Sequence, residues 1–292
     1  MSTIAYTDQA LPFALGEARA HAGLTVVPLF PAREPKVEYI GLDEACSRGM
    51  SVTEATEHGI VEILRVTNPL DERVLLYEGE ELVGAKQNRI IRMTTLVEAG
   101  LVIDVPVDCV ERGRWSRQSD LLRPVAHAAY PELRARRHAG GGQADVWASI
   151  SRLSDARAVD SPTEAQDALF AKAAPSLEAY VEALPRVPGQ SGLIVGVAGQ
   201  VACLDYISRP DVFAGLYGKL LRGHALQALG QPAKPLPQRA VRAFLAALAH
   251  SSSHVARTAG VGAERRIAGE VVGAELAAFG ETIALSAFPG GS

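Results

Sequence analysis

Residues 74–89 read VLLYEGEELVGAKQNR, and they join an apolar segment to a dense group of polar side chains. The apolar residues 74–76 predict a buried strand, and residues 94–97 predict a second strand after the polar group. A connection between two strands needs only a few turn residues, whereas this one is rich in carboxylates, cations and side-chain amides. Charge placed between core strands is typical of a binding or catalytic loop, because the strands hold the loop in position.

The segments on both sides of this stretch consist of short apolar runs separated by turn residues, which is the pattern of β structure. In the first part of the chain we expect strands at residues 24–30, 37–40, 61–66, 73–77, 92–97 and 101–107. A short helix is predicted among them at residues 42–50, with Asp43 and Glu44 in its first turn. These strands predict a mostly antiparallel sheet, folded as a sandwich or an open barrel.

The composition changes after Trp115, where runs rich in alanine, leucine and arginine favour helices. The predicted helices cover residues 121–137, 144–157, 164–184, 210–229 and 237–250. Pro175 is expected to kink or break the third helix, because proline lacks the backbone N–H of a helix interior. A hairpin is predicted at residues 193–206, and strands return at residues 255–259, 265–276 and 282–288.

Strands and helices are therefore grouped along the chain, which predicts the α+β fold class. We expect a mostly antiparallel N-terminal β-sheet or sandwich, followed by helices and a small antiparallel β element. The proline-rich segment 230–237 is the predicted boundary within the chain. It divides an α+β core domain (21–230) from a C-terminal extension of a helix and a β-hairpin (231–292), and residues 1–20 form a flexible lead-in.

The composition also limits the class of protein and its location. With 48% hydrophobic and 21% charged residues, the chain has the make-up of a soluble globular protein. Its net charge of −4 provides no general basic field, so we expect neither nucleic acid nor a membrane as partner. No apolar run approaches the roughly 20 residues of a membrane span, and residues 1–16 lack the pattern of a signal peptide. An odd number of widely spaced cysteines favours reduced thiols, and hence the cytoplasm.

The carboxylates of the polar stretch are the first candidates for catalysis. Glu80 and Glu81 lie close together in the sequence, and either would serve as a general base toward water or a ribose hydroxyl. Strand alternation would place Glu78 and Glu80 on one face and Glu81 on the other. Two carboxylates on one face would suit a shared divalent cation, and a Mg²⁺ ion shared between a carboxylate and the substrate phosphates is compatible with this arrangement. The metal ligands themselves are not assigned, since the sequence has no HExxH, CxxC or calcium-loop motif.

The cations and amides that follow are candidates for substrate binding. Lys86 and Arg89 suit a phosphate group, which arginine binds through two N–H groups. Gln87 and Asn88 offer both donors and acceptors, as recognition of a sugar or a nucleobase requires. The alternative is a solvated hairpin tip, closed by salt bridges among its own side chains.

A second polar group, DCVERGRW at residues 108–115, follows a predicted strand. Glu111 is a third candidate catalytic carboxylate, Arg114 suits an anionic group, and Trp115 suits a base that stacks on it. Cys109 has two interpretations: a thiolate stabilised by neighbouring arginines, or a small buried side chain. A glycine run at residues 140–142 opens a predicted helix, and we interpret it as a flexible connector rather than an anion site.

These two polar groups, together with Leu204-Asp205 and the helix from Pro210, resemble one family over residues 24–229. It is the ARG and rhodanese-phosphatase-superfamily-associated protein domain family. The resemblance implies an α+β fold. Through the family's association with ADP-ribosylglycohydrolases and phosphatases, it also implies a role in the metabolism of NAD-derived or ADP-ribose-like compounds.

Three functions remain as hypotheses. The first is a cytosolic hydrolase acting on an ADP-ribose-like or other phosphorylated nucleotide, and the second is a non-catalytic module that senses the same small molecules. The third is an assembly protein, a homo-oligomer whose charged loop forms the subunit contact. Free carboxylates near a phosphate-binding arginine would favour the enzyme, whereas carboxylates engaged in salt bridges would favour the sensor.

Overall fold

The computed structural model describes residues 11–290 and has the predicted α+β fold. The first strands are β1 (Phe13–Leu15), β2 (Arg19–His21), β3 (Leu24–Pro31), β4 (Ile40–Gly41), β5 (Ser51–Glu54), β6 (Ile63–Thr67), β7 (Val74–Leu76), β8 (Glu80–Gly84), β9 (Arg89–Ile91) and β10 (Thr95–Val97). The later strands are β11 (Val102–Cys109), β12 (Leu122–Ala128), β13 (Gly192–Val197), β14 (Gln200–Ile207), β15 (Ser252–Arg257), β16 (Ala263–Ala268), β17 (Val271–Ala278) and β18 (Glu281–Pro289). The helices are α1 (Leu42–Ser47), α2 (Pro131–His138), α3 (Gln143–Ala156), α4 (Gln166–Ala183), α5 (Pro210–Ala228) and α6 (Gln238–His250).

Six strands of the N-terminal half close into a barrel in the order β11-β6-β5-β12-β8-β9. Strand alternation sends Val52, Leu64 and Leu82 into a common apolar core. The helix α1 contributes Leu42 and Ala45 to the same core. The predicted strand-rich N-terminal region is thus confirmed, and the sheet is a closed barrel.

The second large element is a nine-stranded antiparallel sheet that combines the beginning and the end of the described chain. Its order is β1-β3-β13-β14-β18-β17-β16-β15, and β2 also pairs with β3. Between the sheet and the barrel lies α5, which is buried along most of its length and packs against β12, β13 and β3. The four C-terminal strands are antiparallel to one another, as expected, and β18 lies between β14 and β17.

Several predicted elements differ from the structure. Residues 121–137 were expected to be one helix, but they contain β12 followed by α2, because residues 122–124 pair with β8 and Pro131 begins the helix. The connection at residues 77–89 is not a long loop, since its middle is β8 itself. Residues 265–276 form parts of two strands, separated by a turn at Gly269, whose φ of 130° suits glycine.

Three further expectations are corrected or limited by the structure. Of the strand predicted at residues 37–40, only Ile40 is in a strand, and β4 pairs in parallel with β7. The helix α4 continues through Pro175. Of the predicted lead-in, residues 1–10 lie outside the described part of the chain, and β1 begins at Phe13. Within residues 11–290, no helix is long and apolar enough to cross a membrane.

Candidate functional site

The predicted ligand-binding residues come together at one end of the barrel. At this end, which we call the barrel mouth, β5, β8 and β11 finish while β6, β9 and β12 begin, because neighbouring barrel strands are antiparallel. The turn after β8 and the chain after β11 both lie here, and they supply Lys86, Gln87, Asn88, Arg89, Glu111, Arg114 and Trp115.

Arg89 is the central cation of the barrel mouth and is fully buried. Its side chain faces the barrel interior, because Ile91 two residues later belongs to the barrel core. Nε donates to the carbonyl oxygen of Val61 at 3.0 Å and Nη1 to that of Asn88 at 3.3 Å. Among residues 11–290, Nη2 has no hydrogen-bond partner. Burial lowers the pKa of the Arg89 guanidinium, so a charge is held here at a cost in solvation.

Trp115 covers this buried guanidinium from the solvent side. Its ring is 48% exposed, and the ring centroid lies 5.8 Å from Cζ of Arg89 and 5.5 Å from Nζ of Lys86. Two cations therefore face one indole, an attractive arrangement between positive charge and the ring's negative face. Lys86 also donates to the carbonyl oxygens of Glu57 and His58, at 2.9 and 2.7 Å, so its ammonium group is held at the rim.

Arg114 and Glu111 form a buried pair that shapes the turn between β8 and β9. Arg114 Nη2 lies 2.6 Å from Glu111 Oε2 and 3.1 Å from Oδ1 of Asn88, and Nη1 donates to the carbonyl oxygen of Ala85 at 2.8 Å. Burial raises the pKa of Glu111, but hydrogen bonds from Arg114 and the Asn88 N–H outweigh it, and the pKa is lowered. Ala85 has a positive φ of 41°, which these contacts hold in place.

Cys109 is a buried thiol whose surroundings favour the second of its two predicted interpretations. Its sulfur donates to Oε1 of Gln87 at 3.2 Å, and burial raises its pKa more than the charge of Arg89 lowers it. The side chain of Gln143, from α3, binds both the N–H and the carbonyl oxygen of Cys109, each at 2.8 Å. The amide thus extends β11 as a strand partner would, and it fixes α3 to the barrel mouth.

Glu80 and Glu81 do not face the barrel mouth. Glu80 begins β8 at the opposite end, where its Oε1 lies 2.9 Å from Nζ of Lys219 and its Oε2 accepts the N–H of Tyr77. Glu81 points out of the barrel toward His127, at 2.9 Å, and toward the amide of Gln166 in α4, at 2.6 Å. Both carboxylates are therefore buried and contacted by other side chains, although both contacts to Glu81 are made by Oε2, and its Oε1 has no hydrogen-bond partner in the described chain.

One carboxylate at the barrel mouth was not anticipated from the sequence. Glu54 ends β5. Its side chain faces the barrel interior, on the same side of the strand as the core residue Val52 two positions earlier. Oε1 accepts the N–H of Lys86 at 3.1 Å, while Oε2 is buried without a partner in the described chain. Residues 51–54 carry no strong strand pattern, so no local signal identified this position.

A second group of charges lies between the barrel and the nine-stranded sheet, and we call it the buried ionic cluster: Glu78, Arg134, His138, Asp205 and His224. Arg134 Nη2 contacts Glu78 Oε1 at 2.8 Å and Asp205 Oδ1 at 2.6 Å. His138 contacts the other oxygen of Glu78 at 2.7 Å, and His224 lies 3.3 Å from Asp205 Oδ2. Gly79 makes room for this cluster, since an added Cβ would stand 2.8 Å from Cδ of Arg134.

The pKa values in this cluster follow from ion pairing overcoming burial. Burial raises the pKa of Glu78, but the charges of His138 and Arg134 outweigh it and leave the pKa at about 2. The pKa of Asp205 is likewise held well below its usual range by Arg134 and His224, against the effect of burial. Burial lowers the pKa of His224. The cluster joins α2, β14 and α5 to the chain before β8.

Cys203, Asp205 and His224 also bring three metal-ligand types within 4.8 Å of one another. The two ring nitrogens of His224 face different groups, with Nδ1 3.8 Å from the sulfur of Cys203 and Nε2 3.3 Å from Asp205. Asp205 is further engaged by Arg134 and by the hydroxyl of Tyr77, at 2.7 Å. The three side chains are thus engaged with one another and with Arg134 and Tyr77 through ion pairs and hydrogen bonds.

Comparisons with known proteins place the chain in context. The model of the ARG and Rhodanese-Phosphatase-superfamily-associated Protein domain matches residues 13–288, a longer span than the residues 24–229 over which the resemblance extends. No curated protein and no solved structure matches the chain significantly.

Proposed function

The chain belongs to the ARG and Rhodanese-Phosphatase-superfamily-associated Protein domain family, and from this premise we propose that it binds a phosphorylated nucleotide of the ADP-ribose type. The ligand would enter at the barrel mouth. The observation that carries the proposal is Arg89, a fully buried guanidinium whose Nη2 has no partner in the described chain and whose cover is the half-exposed ring of Trp115.

The chemistry of the barrel mouth suits such a ligand in two ways. A phosphate oxygen would provide the missing acceptor for Arg89 and would also be attracted by Lys86. The indole of Trp115 offers a flat face on which a purine would stack, with a gain of about 1–3 kcal/mol per base. The association with ADP-ribosylglycohydrolases that the family resemblance implies would point to the same class of compound.

We place recognition before hydrolysis because the predicted catalytic carboxylates are engaged by other side chains. Glu80 is held by Lys219, Glu81 by His127 and Glu111 by Arg114. A carboxylate with a lowered pKa and a strong donor is a weak base, which argues against Glu111 as the proton acceptor. The sensor hypothesis therefore has the better support.

The test is calorimetric titration with ADP-ribose, NAD, AMP and ribose 5-phosphate, each with and without Mg²⁺. A ligand at a hundred times its Kd would stabilise the protein by about 2.7 kcal/mol, so a thermal-shift assay provides a second readout. Trp115→Ala removes an exposed ring without touching the core, and we expect it to weaken binding by about tenfold or more. Arg117→Ala, which removes an exposed arginine paired with Asp120, is the matched control and should bind normally.

The outcomes separate the hypotheses clearly. Binding that is lost in Trp115→Ala and kept in Arg117→Ala supports the barrel mouth as the site. Absence of binding to every compound, with the protein folded, would overturn the proposal and favour the assembly hypothesis instead.

A hydrolytic version of this function has one observation in its favour, which is the unpartnered Oε2 of Glu54 at the same mouth. This oxygen would be available to accept a proton from water beside a phosphate held by Arg89. Incubation of the protein with ADP-ribose and Mg²⁺, followed by chromatography of the products, tests for turnover. If turnover occurs, Glu54→Gln should reduce kcat strongly while leaving the Kd of ADP-ribose nearly unchanged.

We also propose a cytoplasmic location, because Cys46, Cys109 and Cys203 are all free thiols. Cell fractionation with an antibody to the protein checks this, and recovery in a membrane or secreted fraction would contradict it.

A further inference from the structure

A cavity of about 540 Å³ lies apart from the barrel mouth and shares no lining residue with it. It opens where the C-terminal ends of α3 and α5 meet the turn between β13 and β14. Its volume is within the range of small-molecule sites, about 300–1,000 Å³. Apolar side chains of Leu153, Val197 and Leu229 form part of its wall, and three glutamines provide amide groups.

Arg157 lines this cavity and has no carboxylate partner within residues 11–290. Its Nη2 donates to the carbonyl oxygens of Leu226 and Leu229, at 2.5 and 3.2 Å, so the guanidinium is fixed at the end of α5. Its Nε is buried and makes no hydrogen bond in the described chain. Burial lowers the pKa of Arg157, as expected for a charge without a nearby anion.

Tyr130 provides a second unmet hydrogen-bonding group in the same lining. The residue is 2% exposed, and its hydroxyl has no partner among the residues described. A buried hydroxyl without a partner is rare in proteins, because its desolvation is not compensated. Next to it, Glu132 is engaged by two arginines, Arg136 at 3.0 Å and Arg152 at 2.9 Å. The one carboxylate of the lining is thus neutralised by arginines outside the cavity, whereas Arg157 is the lining cation.

We propose that this cavity binds a small organic carboxylate with an apolar body. The carboxylate would pair with the guanidinium of Arg157, and a small movement of the lining side chains would bring the buried Nε of Arg157 and the hydroxyl of Tyr130 into hydrogen-bonding contact with it. The apolar body would lie against Leu153, Val197 and Leu229. A monoanion fits better than a phosphate dianion, since one unpaired guanidinium faces the cavity and Glu132 stands at its edge. This site is independent of the ligand proposed for the barrel mouth.

The experiment titrates the full-length protein with phenylacetate, 4-phenylbutyrate and octanoate, and with the amide of each acid. Each amide keeps the shape of its acid and removes the charge. Binding is measured by calorimetry and by chemical-shift changes in two-dimensional NMR spectra. We expect at least one acid to bind saturably and its amide to bind about tenfold or more weakly, as loss of a charged hydrogen bond predicts.

Variants then locate the binding. Arg157→Gln should abolish the preference for acid over amide, while Arg239→Gln, which changes an exposed arginine on α6, should leave the affinity unchanged. If Arg157→Gln fails to fold, Tyr130→Phe replaces it and should weaken binding of the acid several-fold. Ala156→Phe places a ring in the cavity from an exposed position and should block every probe.

The proposal is overturned if no acid binds saturably, or if acids and amides bind alike. It is also overturned if binding survives in Ala156→Phe with unchanged affinity.

Discussion

Arg134 forms two buried ion pairs that connect separate elements of the fold. Its guanidinium lies between Glu78 and Asp205, and all three side chains are at most 3% exposed. A buried ion pair contributes little net stability compared with an apolar replacement of the whole group, because both charges have lost their water. Removal of a single partner is different, since the remaining charge stays buried without compensation.

We therefore expect Arg134→Met to lower the free energy of unfolding by about 3–5 kcal/mol, or to prevent folding. The control is Arg136→Met on the same helix, which removes an arginine that is 42% exposed and paired with Glu132. Exposed pairs of this kind contribute about 0–1 kcal/mol. Urea denaturation of the two variants measures the difference, and equal losses would contradict the role of the cluster.

The sequence predicts some residues of the buried ionic cluster and of the barrel mouth, but not their partners from distant parts of the chain. Glu78 stood out in the polar stretch, but Arg134 was one arginine among several in a helical segment and carried no local signal. Similarly, the neighbours in the two polar groups predicted Arg89 and Trp115 at one site, whereas Glu54 and Gln143 reach the barrel mouth from distant parts of the chain. Side chains that meet only through the tertiary fold leave no periodic pattern in the sequence.

Among the elements, α4 departs most clearly from its expected form. Pro175 predicts a kink or a break, and the structure shows no break, since one helix extends from Gln166 to Ala183. Tertiary packing explains this, because Leu169, Phe170 and Leu177 on one face all belong to the main hydrophobic core. Burial of such a face outweighs the loss of one backbone hydrogen bond at the proline.

Replacement of this proline should therefore stabilise the protein. Pro175 is exposed, so Pro175→Ala restores a backbone N–H donor and disturbs no packing, and we expect a gain of about 1–3 kcal/mol in the free energy of unfolding. Thermal and urea denaturation measure it. The neighbouring exposed substitution Ser176→Ala is the control and should change stability by at most about 0.5 kcal/mol. A loss of stability in Pro175→Ala would show that the proline is needed for the course of the helix.

The strand β12 illustrates the limit of element prediction. Residues 121–137 contain leucine, alanine and arginine in proportions that favour a helix. The barrel decides the outcome, because β12 supplies partners to both β5 and β8 and closes the sheet. By contrast, β13, β14 and α5 were predicted nearly at their observed bounds, since their hairpin and helix signals are local.

For the molecule as a whole, the buried charges predict how stability depends on pH. Glu78 has a pKa of about 2 in the folded protein, and Asp205 a lower one, against about 4 for both when unfolded. The unfolded chain therefore binds these protons first as the pH falls. The contribution of these two ionised carboxylates to the free energy of unfolding is complete above about pH 5 and is lost toward about pH 2. His224, whose pKa burial lowers, adds a loss that begins below about pH 6.5, because the unfolded histidine is protonated first.

Urea midpoints measured from about pH 7 to about pH 3 should fall continuously, with the steeper part below about pH 4.5. In Arg134→Met, if it folds, the steep part should shrink, since the two carboxylates lose the cation that lowers their pKa values. A midpoint independent of pH over this range would show that the cluster is not ionised as described.

The order of strands in the nine-stranded sheet has a consequence for the synthesis of the protein. Leu29 of β3 pairs with Gly192 of β13, so 163 residues (192 minus 29) must be added before the two can meet. At about 5–20 residues per second, the wait is roughly 8–30 seconds. During it the ribosome carries an apolar strand, Leu24–Pro31, with one edge open, and such an edge readily pairs with other chains. The central gap of the sheet closes only when Glu281–Pro289 has been made. A nascent chain of this kind depends on whatever shields it at the exit tunnel, so its yield in a cell would be governed by chaperone supply as much as by the stability of the finished fold.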